Sequence, residues 1–89
     1  MTNEEKMALC AIRYCMGRMS YIVSDGVAWA RRYGAQSKHL RGVVIRDIEE
    51  AIAQMERCPD IPMLGDKIDE REWRAVLSEL KALEEQRHG

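Results

Sequence analysis

The sequence contains no phenylalanine, only two prolines and no apolar stretch of the length that a membrane-spanning helix requires. Such a helix needs about 20 consecutive apolar residues, so no transmembrane segment is predicted. The polar residues 2–5 do not resemble a secretory signal peptide, and we therefore expect a cytoplasmic protein. Without phenylalanine, the core must rely on aliphatic side chains and on some of the six methionines, which are adaptable in shape.

Cysteine and histidine are also scarce, with three cysteines and two histidines in 89 residues. No C-x-x-C pair occurs. Cys10 and Cys15 fall on different faces of one predicted helix and Cys58 falls in a loop, so we expect reduced thiols rather than disulfides. A zinc site would need an unusual set of ligands. No metal and no cofactor are therefore predicted.

Catalytic motifs are missing as well. The sequence contains no G-x-S-x-G, H-E-x-x-H or phosphate-loop pattern. Cys10 or Cys15 could serve with His39 as nucleophile and base by residue type only. Asp25 lies among arginines and is a predicted ion-pair partner rather than a general base. We therefore predict a protein that is not an enzyme.

The spacing of the apolar residues predicts a single all-α domain over residues 1–89. We expect a compact bundle of four helices, with a proline-containing loop at residues 57–68 before the last helix. The four predicted helices cover residues 2–16, residues 20–33, residues 38–55 and a last segment that begins at Asp69.

Local signals mark the ends of the first three predicted helices. Thr2 and Glu5 have the spacing of a capping box, in which each side chain accepts a hydrogen bond from the other residue's backbone N–H. Gly17 and Gly34 are expected to end the first and second helices. Ser37 is the expected N-terminal cap of the third helix.

The last helix has its own predicted start. Asp69 and Glu72 have the spacing of a second capping box. Ile68 and Trp73 occupy the two positions of a hydrophobic staple, in which an apolar residue before the cap packs against one in the first turn. The sequence therefore places the beginning of this helix at Asp69.

The first helix is apolar on two sides. One side is expected to face the core and consists of Ala8, Leu9, Ile12, Cys15 and Met16. The other side carries Met7, Cys10 and Tyr14. A helix with two apolar faces is either central in its fold or shared with a second subunit. We therefore predict a homo-oligomer with these three residues at its interface.

Aromatic and basic residues concentrate in residues 13–33, which contain all three tyrosines and one of the two tryptophans. Guanidinium groups bind phosphate or carboxylate, and aromatic rings stack on bases or on guanidinium groups. A glycine that ends one helix and a serine that caps the next also leave free backbone N–H groups for an anion. The predicted ligand-binding residues are Arg13, Tyr14, Arg18, Ser20, Tyr21 and Arg32.

Charge is divided unevenly along the chain. Residues 1–46 hold eight basic and three acidic side chains, a balance of +5, whereas residues 47–89 hold six basic and twelve acidic ones, a balance of −6. Such a division indicates either a basic binding face with an acidic back or complementary faces that meet in an oligomer.

A helix-turn-helix motif is one alternative interpretation of the basic half. Ala30, Gly34 and Leu40 have the spacing of that motif, in which the second helix enters the major groove. Gly42 and the acidic residues that follow it argue against this interpretation. The side chains that the second helix would present to DNA are Ser37, Lys38, His39, Arg41 and Arg46.

Residues 8–23, ALCAIRYCMGRMSYIV, resemble the beginning of small accessory proteins encoded by phages and prophages. Those proteins typically carry an R-Y-x-x-G-R-x-[ST]-Y run. The matching residues of this chain are Arg13, Tyr14, Gly17, Arg18, Ser20 and Tyr21. Other phage proteins of this size and helical content counter bacterial immunity by blocking a defence complex or by sequestering its nucleotide signal. The resemblance therefore implies a binding protein that acts in the host bacterial cytosol.

The residues and the resemblance together favour an antagonist of bacterial immunity that sequesters a phosphorylated nucleotide signal. Arg13, Arg18 and Arg32 are expected to hold phosphates, because guanidinium groups can bind them with two hydrogen bonds. Tyr14 and Tyr21 are expected to stack or to form hydrogen bonds. Two alternatives stay open: an anti-CRISPR-like inhibitor that binds a protein defence complex, and a helix-turn-helix regulator that binds DNA.

Overall fold

The chain folds into four helices connected by short segments. The computed structural model describes the backbone of residues 1–18, 20–61 and 63–88, and the side chains of the same residues except 20–22, 87 and 88. The helices are α1 (Asn3–Cys15), α2 (Ser20–Gln36), α3 (Lys38–Arg57) and α4 (Lys67–His88). These residues include no strand, which confirms the predicted all-α bundle. Self-association remains a prediction.

Helix α2 packs against each of the other three helices and has the most extensive contacts in the bundle. Trp73 of α4 is fully buried. A methyl group added at Gly26 of α2 would lie 3.3 Å from the Trp73 ring and would collide with Cβ of Cys15 on α1. Glycine at this position therefore allows three helices to approach one another closely.

Gly34 does not end α2, contrary to the sequence prediction. The helix continues through Gly34 to Gln36. Gly34 is buried, and a methyl group added there would lie 2.7 Å from Cδ2 of Leu80 on α4. This glycine is therefore explained by close packing between helices rather than by the left-handed conformation that ends a helix.

Ser37 alone separates α2 from α3 and links three helices. Its Oγ accepts a hydrogen bond from Leu40 N at 3.2 Å, which confirms the predicted cap of α3. The same hydroxyl donates to the carboxylate of Glu5 on α1. Glu5 also completes the predicted capping box with Thr2. Because Glu5 meets Ser37 while Cys15 meets Gly26, α1 and α2 run antiparallel.

The start of α4 differs from the sequence prediction by three residues. Asp66 caps the helix: its Oδ1 accepts hydrogen bonds from the N–H groups of Ile68 and Asp69, both at 2.9 Å. In turn, Oδ2 of Asp69 accepts a hydrogen bond from Asp66 N at 3.1 Å. The capping box is therefore Asp66–Asp69 rather than Asp69–Glu72. Ile68 is 66% exposed, so it does not form the predicted staple.

A helix that crosses a membrane must be both long and apolar, and the described helices do not meet this requirement. Their buried side chains instead face one another inside the bundle. The largest fully buried side chains are Trp73, Ile12, Leu40, Ile48, Leu64, Leu80, Val23, Val44, Val76 and Cys15.

Candidate functional site

The bend between α1 and α2 is built by Gly17. Its φ of 73° lies in the left-handed region that glycine adopts without strain. The chain reverses here, with Arg18 N donating to Cys15 O at 3.2 Å. Gly17 therefore follows the end of α1 as predicted, and the reversal carries Arg18 back towards the last turn of α1.

Arg18 and Tyr14 form a stacked pair on the surface of this bend. The guanidinium carbon of Arg18 lies 5.0 Å from the centroid of the Tyr14 ring, within cation–π range. The Arg18 Nε donates to the Tyr14 carbonyl at 3.1 Å, which fixes the orientation of the side chain. Tyr14 is 62% exposed. Tyr14 and Arg18, two of the six predicted ligand-binding residues, thus lie together and are accessible to solvent.

Arg13 lies on the same turn of α1 but is already paired. Its Nε donates to Oδ2 of Asp47 on α3 at 2.6 Å, and its Nη2 donates to Oδ1 at 3.3 Å. This hydrogen-bonded carboxylate raises the pKa of Arg13 above its ordinary value. Most of the positive charge of Arg13 is therefore balanced within the chain, and an external phosphate would have to compete with Asp47.

The remaining predicted ligand-binding residues divide into two groups. Arg32 lies near the opposite end of α2, where its guanidinium carbon is 5.5 Å from the centroid of the Tyr33 ring. The rise of about 1.5 Å per residue places it roughly 18 Å along the helix from Ser20. Arg32 therefore does not join Arg13 and Arg18 in one site. The side chains of Ser20 and Tyr21 lie outside the described residues.

Sequence reasoning missed a cleft that begins beside Arg13. The cleft has a volume of about 320 Å³ and lies between α1, α3 and the loop before α4. Two carboxylates face it, so it disfavours a phosphate and favours a neutral or cationic group. The two methionines, one from the bend and one from the loop, were the available signal in the sequence. The lining residues are Arg13, Met16, Asp47, Glu50, Ala51, Gln54 and Met63.

The second apolar side of α1 is exposed. Met7 is 73% exposed and Cys10 is also exposed. Together with Tyr14 they occupy positions i, i+3 and i+7, so they form one stripe along the helix. We call these three residues and Arg18 the α1 surface.

Cys15 and His39, which by residue type could serve as nucleophile and base, lie apart in this structure. Cys15 lies against Gly26 in the first half of α2, whereas His39 lies in the first turn of α3, beyond the other end of α2. Burial, together with the nearby Asp25 carboxylate, raises the pKa of the buried Cys15 thiol. A thiol that remains protonated is a poor nucleophile.

The predicted helix-turn-helix geometry is not present at α2 and α3. Gly34 lies inside α2 rather than in a turn, and Ser37 alone connects the two helices. Arg41, one of the side chains expected to face DNA, is 3% exposed. Its Nε donates to Oε1 of Glu84 at 2.5 Å and its Nη1 to the Gly34 carbonyl at 2.8 Å. Arg41 is therefore part of the packing between α2, α3 and α4.

Comparisons with known proteins do not assign the chain to a family. No protein-family model matches it, and no curated protein and no solved structure matches it either. The resemblance of residues 8–23 to phage accessory proteins therefore stays a hypothesis.

Proposed function

We propose that the protein is a phage-type, non-enzymatic antagonist of bacterial immunity that binds a protein of the host defence system. The observation that carries this proposal is the exposed Tyr14 ring held under the Arg18 guanidinium, with Met7 on the same face of α1. Tyrosine and arginine dominate the binding energy of protein interfaces, and methionine is enriched there. The defence system as target follows from the resemblance of residues 8–23.

The charges around the bend favour a protein partner over a nucleotide. A phosphate-rich messenger needs several free cationic groups, but Arg13 is paired with Asp47 and Arg32 lies at the far end of α2. Glu50 adds a negative charge to the neighbouring cleft. Arg18 is thus the main free cation at this position among the described residues. One arginine beside apolar side chains suits a protein interface better than a polyphosphate.

A direct test measures the growth of phage on bacteria that carry single, defined defence systems. Expression of the wild-type chain should restore phage plating in the presence of one such system. Tyr14→Ala and Arg18→Ala should lose at least about tenfold of that restoration, because a hot-spot side chain contributes roughly 2 kcal/mol or more. Arg71→Ala is the matched control, since it removes an exposed arginine from α4.

The same variants then identify the binding step. The purified defence protein and the wild-type chain should elute together in size-exclusion chromatography, whereas Tyr14→Ala should elute separately. If the wild-type chain restores plating in no defence system, the antagonist function is wrong. If Tyr14→Ala and Arg18→Ala act like Arg71→Ala, the α1 surface is not the binding site.

Nucleotide sequestration is a second candidate, and the stacked Arg18–Tyr14 pair is the observation that favours it. A guanidinium beside an aromatic ring can hold a phosphate and support a base. A phosphorylated nucleotide that binds the folded chain raises its melting temperature by mass action. A panel of cyclic and NAD-derived nucleotides should then give a shift with the wild type that Arg18→Ala abolishes. The absence of any shift across the panel would sink this candidate.

A second copy of the chain is the third partner to test, because Met7, Cys10 and Tyr14 were predicted to form an oligomer interface. Their stripe is only about 10 Å long by helical rise. A stable interface buries about 800 Å² per partner, so a dimer would need further area. Trp29 of α2 is 39% exposed and offers apolar area on the neighbouring helix. Light scattering at high concentration should show an oligomer that Met7→Asp disrupts, and a wild-type monomer would contradict the interface.

A further inference from the structure

Gly42 of α3 is a glycine that nothing within this chain requires. It lies inside a helix of 20 residues, where glycine is less stable than alanine. A Cβ atom added at Gly42 would meet no atom within 4 Å. Its φ is not positive, since the positive-φ glycines of the described residues are Gly17 and Gly65. Neither backbone conformation nor internal packing therefore accounts for glycine at this position.

The two glycines of α2 differ from Gly42 in what surrounds them. Gly26 allows the close approach of Cys15 and Trp73, and Gly34 allows the close approach of Leu80. In both positions the missing side chain is filled by another part of the same molecule. At Gly42 the space opens outward instead, into a groove on the surface.

This groove has a volume of about 510 Å³ and basic side chains on both sides of Gly42. Lys38 lies one helical turn before Gly42 and Arg46 one turn after it, so both share its face of α3. Both are exposed, and neither forms an ion pair among the described residues. The complete lining is Lys38, His39, Gly42, Val43, Arg46 and Glu84.

The acidic groups near the groove are paired within the chain. Glu84 binds Arg41 at 2.5 Å. Glu49, which lies on the same face of α3, binds Lys81 at 3.0 Å. These pairs neutralise carboxylates that would otherwise repel an anion, while Lys38 and Arg46 keep their charge. The groove is therefore locally positive, in keeping with the basic balance of residues 1–46.

We propose that this groove binds the phosphodiester backbone of a nucleic acid. Lys38 and Arg46 would each contact a phosphate, and Gly42 would let the sugar–phosphate chain approach the helix. A protein helix needs apolar side chains to pack on, and Val43 is the main one that this groove offers. A narrow chain with regularly spaced negative charges fits cations that flank a bare helix surface.

This mode differs from the helix-turn-helix interpretation. Arg41 is buried and cannot reach a base edge. Contacts to phosphate fix position but carry little sequence information. Binding should therefore show little dependence on sequence and strong dependence on salt. The proposal does not depend on the function of the α1 surface, because the groove lies on α3 and α4.

The test is fluorescence anisotropy with labelled oligonucleotides of mixed sequence, in single-stranded and duplex forms of DNA and RNA. Each phosphate contact contributes a slope of about −0.9 for a duplex or about −0.7 for a single strand in a plot of log affinity against log salt. Two contacts should give a slope between about −1.4 and −1.8. Lys38→Ala and Arg46→Ala should each reduce its magnitude by one contact's share, roughly 0.7 to 0.9. The four forms show which nucleic acid is preferred.

Substitutions at Gly42 separate binding from stability. Gly42→Ala should raise the melting temperature by a few degrees, because the helix is strengthened and nothing collides. Gly42→Leu should retain at least the wild-type melting temperature yet weaken oligonucleotide binding at least about tenfold, since its side chain fills the groove. A residue with a purely structural role cannot produce this combination.

Arg71→Ala, which removes an exposed arginine near the start of α4, is the matched control. It should leave both the affinity and the salt slope within error of the wild type. The proposal is overturned if the wild type shows no salt-dependent binding to any of the four oligonucleotide forms. It is also overturned if Gly42→Leu and Lys38→Ala bind as well as Arg71→Ala. Binding of an acidic protein without oligonucleotide binding would likewise overturn it.

Discussion

Arg13 and Arg41 each bind a carboxylate of another helix, but they do so in opposite surroundings. The Arg41 side chain is 4% exposed and its partner Glu84 is 28% exposed. The Arg13 side chain is 52% exposed and its partner Asp47 is 23% exposed. Exposed ion pairs contribute up to about 1 kcal/mol, whereas the loss of one partner of a buried pair costs about 3–5 kcal/mol. The buried Arg41–Glu84 pair is therefore expected to contribute much more to the stability of the fold than the exposed Arg13–Asp47 pair.

The comparison also shows which cations are available to a partner. Sequence reasoning assigned Arg13 to a phosphate site and Arg41 to a DNA-reading helix, but each is engaged within the chain. The accessible cations lie beside them: Arg18 at the bend, and Lys38 and Arg46 on α3. In this fold a guanidinium paired across two helices is a structural group, and its unpaired neighbour is the better candidate for function.

The largest expected loss of stability follows from breaking the buried Arg41–Glu84 pair. Glu84→Ala should lower the free energy of unfolding by about 3 kcal/mol, because it leaves the Arg41 guanidinium buried without its carboxylate. Asp47→Ala, at the exposed pair, should cost at most about 1 kcal/mol. Urea unfolding followed by circular dichroism gives both values. Arg41→Met should cost less than Glu84→Ala, since it leaves no buried charge. Equal losses for Glu84→Ala and Asp47→Ala would contradict the distinction.

The next effect compares Gly26, inside α2, with Gly42, inside α3. Gly26→Ala should destabilise the protein, because its methyl group collides with the Cβ of Cys15, and overpacking costs about 1–3 kcal/mol. Gly42→Ala should stabilise it by up to about 1 kcal/mol. Thermal unfolding measures both shifts. If the melting temperatures of the two variants move in the same direction, that result contradicts either the close approach at Gly26 or the open space at Gly42.

A smaller effect on stability is expected from the protonation of Glu5, whose carboxylate accepts a hydrogen bond from Ser37 near the end of α2. Hydrogen bonds from Ser37 and Thr2 lower the pKa of Glu5 from 4.5 to about 2. Because the folded state holds this carboxylate ionised, its contribution to stability is complete above pH 4.5 and is lost as the pH falls towards 2.

The measurement is the unfolding free energy of wild type and Glu5→Gln between neutral and acidic pH. The wild type should be the more stable of the two at neutral pH, and the difference should shrink as Glu5 becomes protonated. Glu4→Gln, which lies beside Glu5 but accepts no hydrogen bond among the described residues, is the matched control. A difference that stays constant with pH would count against the role of Glu5.

The smallest effect on stability is expected at the α1 surface. Tyr14→Ala and Arg18→Ala should each change the unfolding free energy by no more than about 0.5 kcal/mol, because both side chains lie on the surface. Their effect on phage plating should nevertheless be large if the proposed function is correct. Thermal unfolding beside the plating assay separates the two readouts. A loss of more than about 2 kcal/mol for either variant would mean that the pair is structural.

Local signals allowed the sequence to predict most helix ends. Thr2, Gly17 and Ser37 act within three or four residues of their own positions, and each was assigned correctly. The start of α4 was misplaced because Asp66 and Asp69 have the same spacing as Asp69 and Glu72. Capping geometry alone does not choose between two overlapping boxes. The choice depends on burial, and Asp69 is 4% exposed where the loop meets the helix.

The parts that could not be predicted depend on contacts between distant residues. Gly34 has the sequence context of a helix stop, and only its packing against Leu80, 46 positions later, explains why α2 continues. The pairing of Arg13 with Asp47 spans 34 positions, so no local pattern indicates it. The structure brings two of the predicted site residues, Tyr14 and Arg18, together on the surface and places Arg32 apart from them. The sequence alone does not reveal which charged side chains are already paired within the chain, and a binding role for these residues stays a prediction.

Ser37 alone connects α2 and α3, so the chain changes direction within one residue. If α2 and α3 were to fuse across it, residues 20–57 would form one straight rod of about 57 Å at 1.5 Å per residue. The folded molecule is only 36 Å along its longest axis, so such a rod would have to leave the globule and carry half of the core with it. Its apolar face would then be covered by another chain in a domain-swapped pair. The Ser37 hydroxyl, which caps α3 and donates to Glu5, stabilises this reversal of the chain alongside the packing of the core.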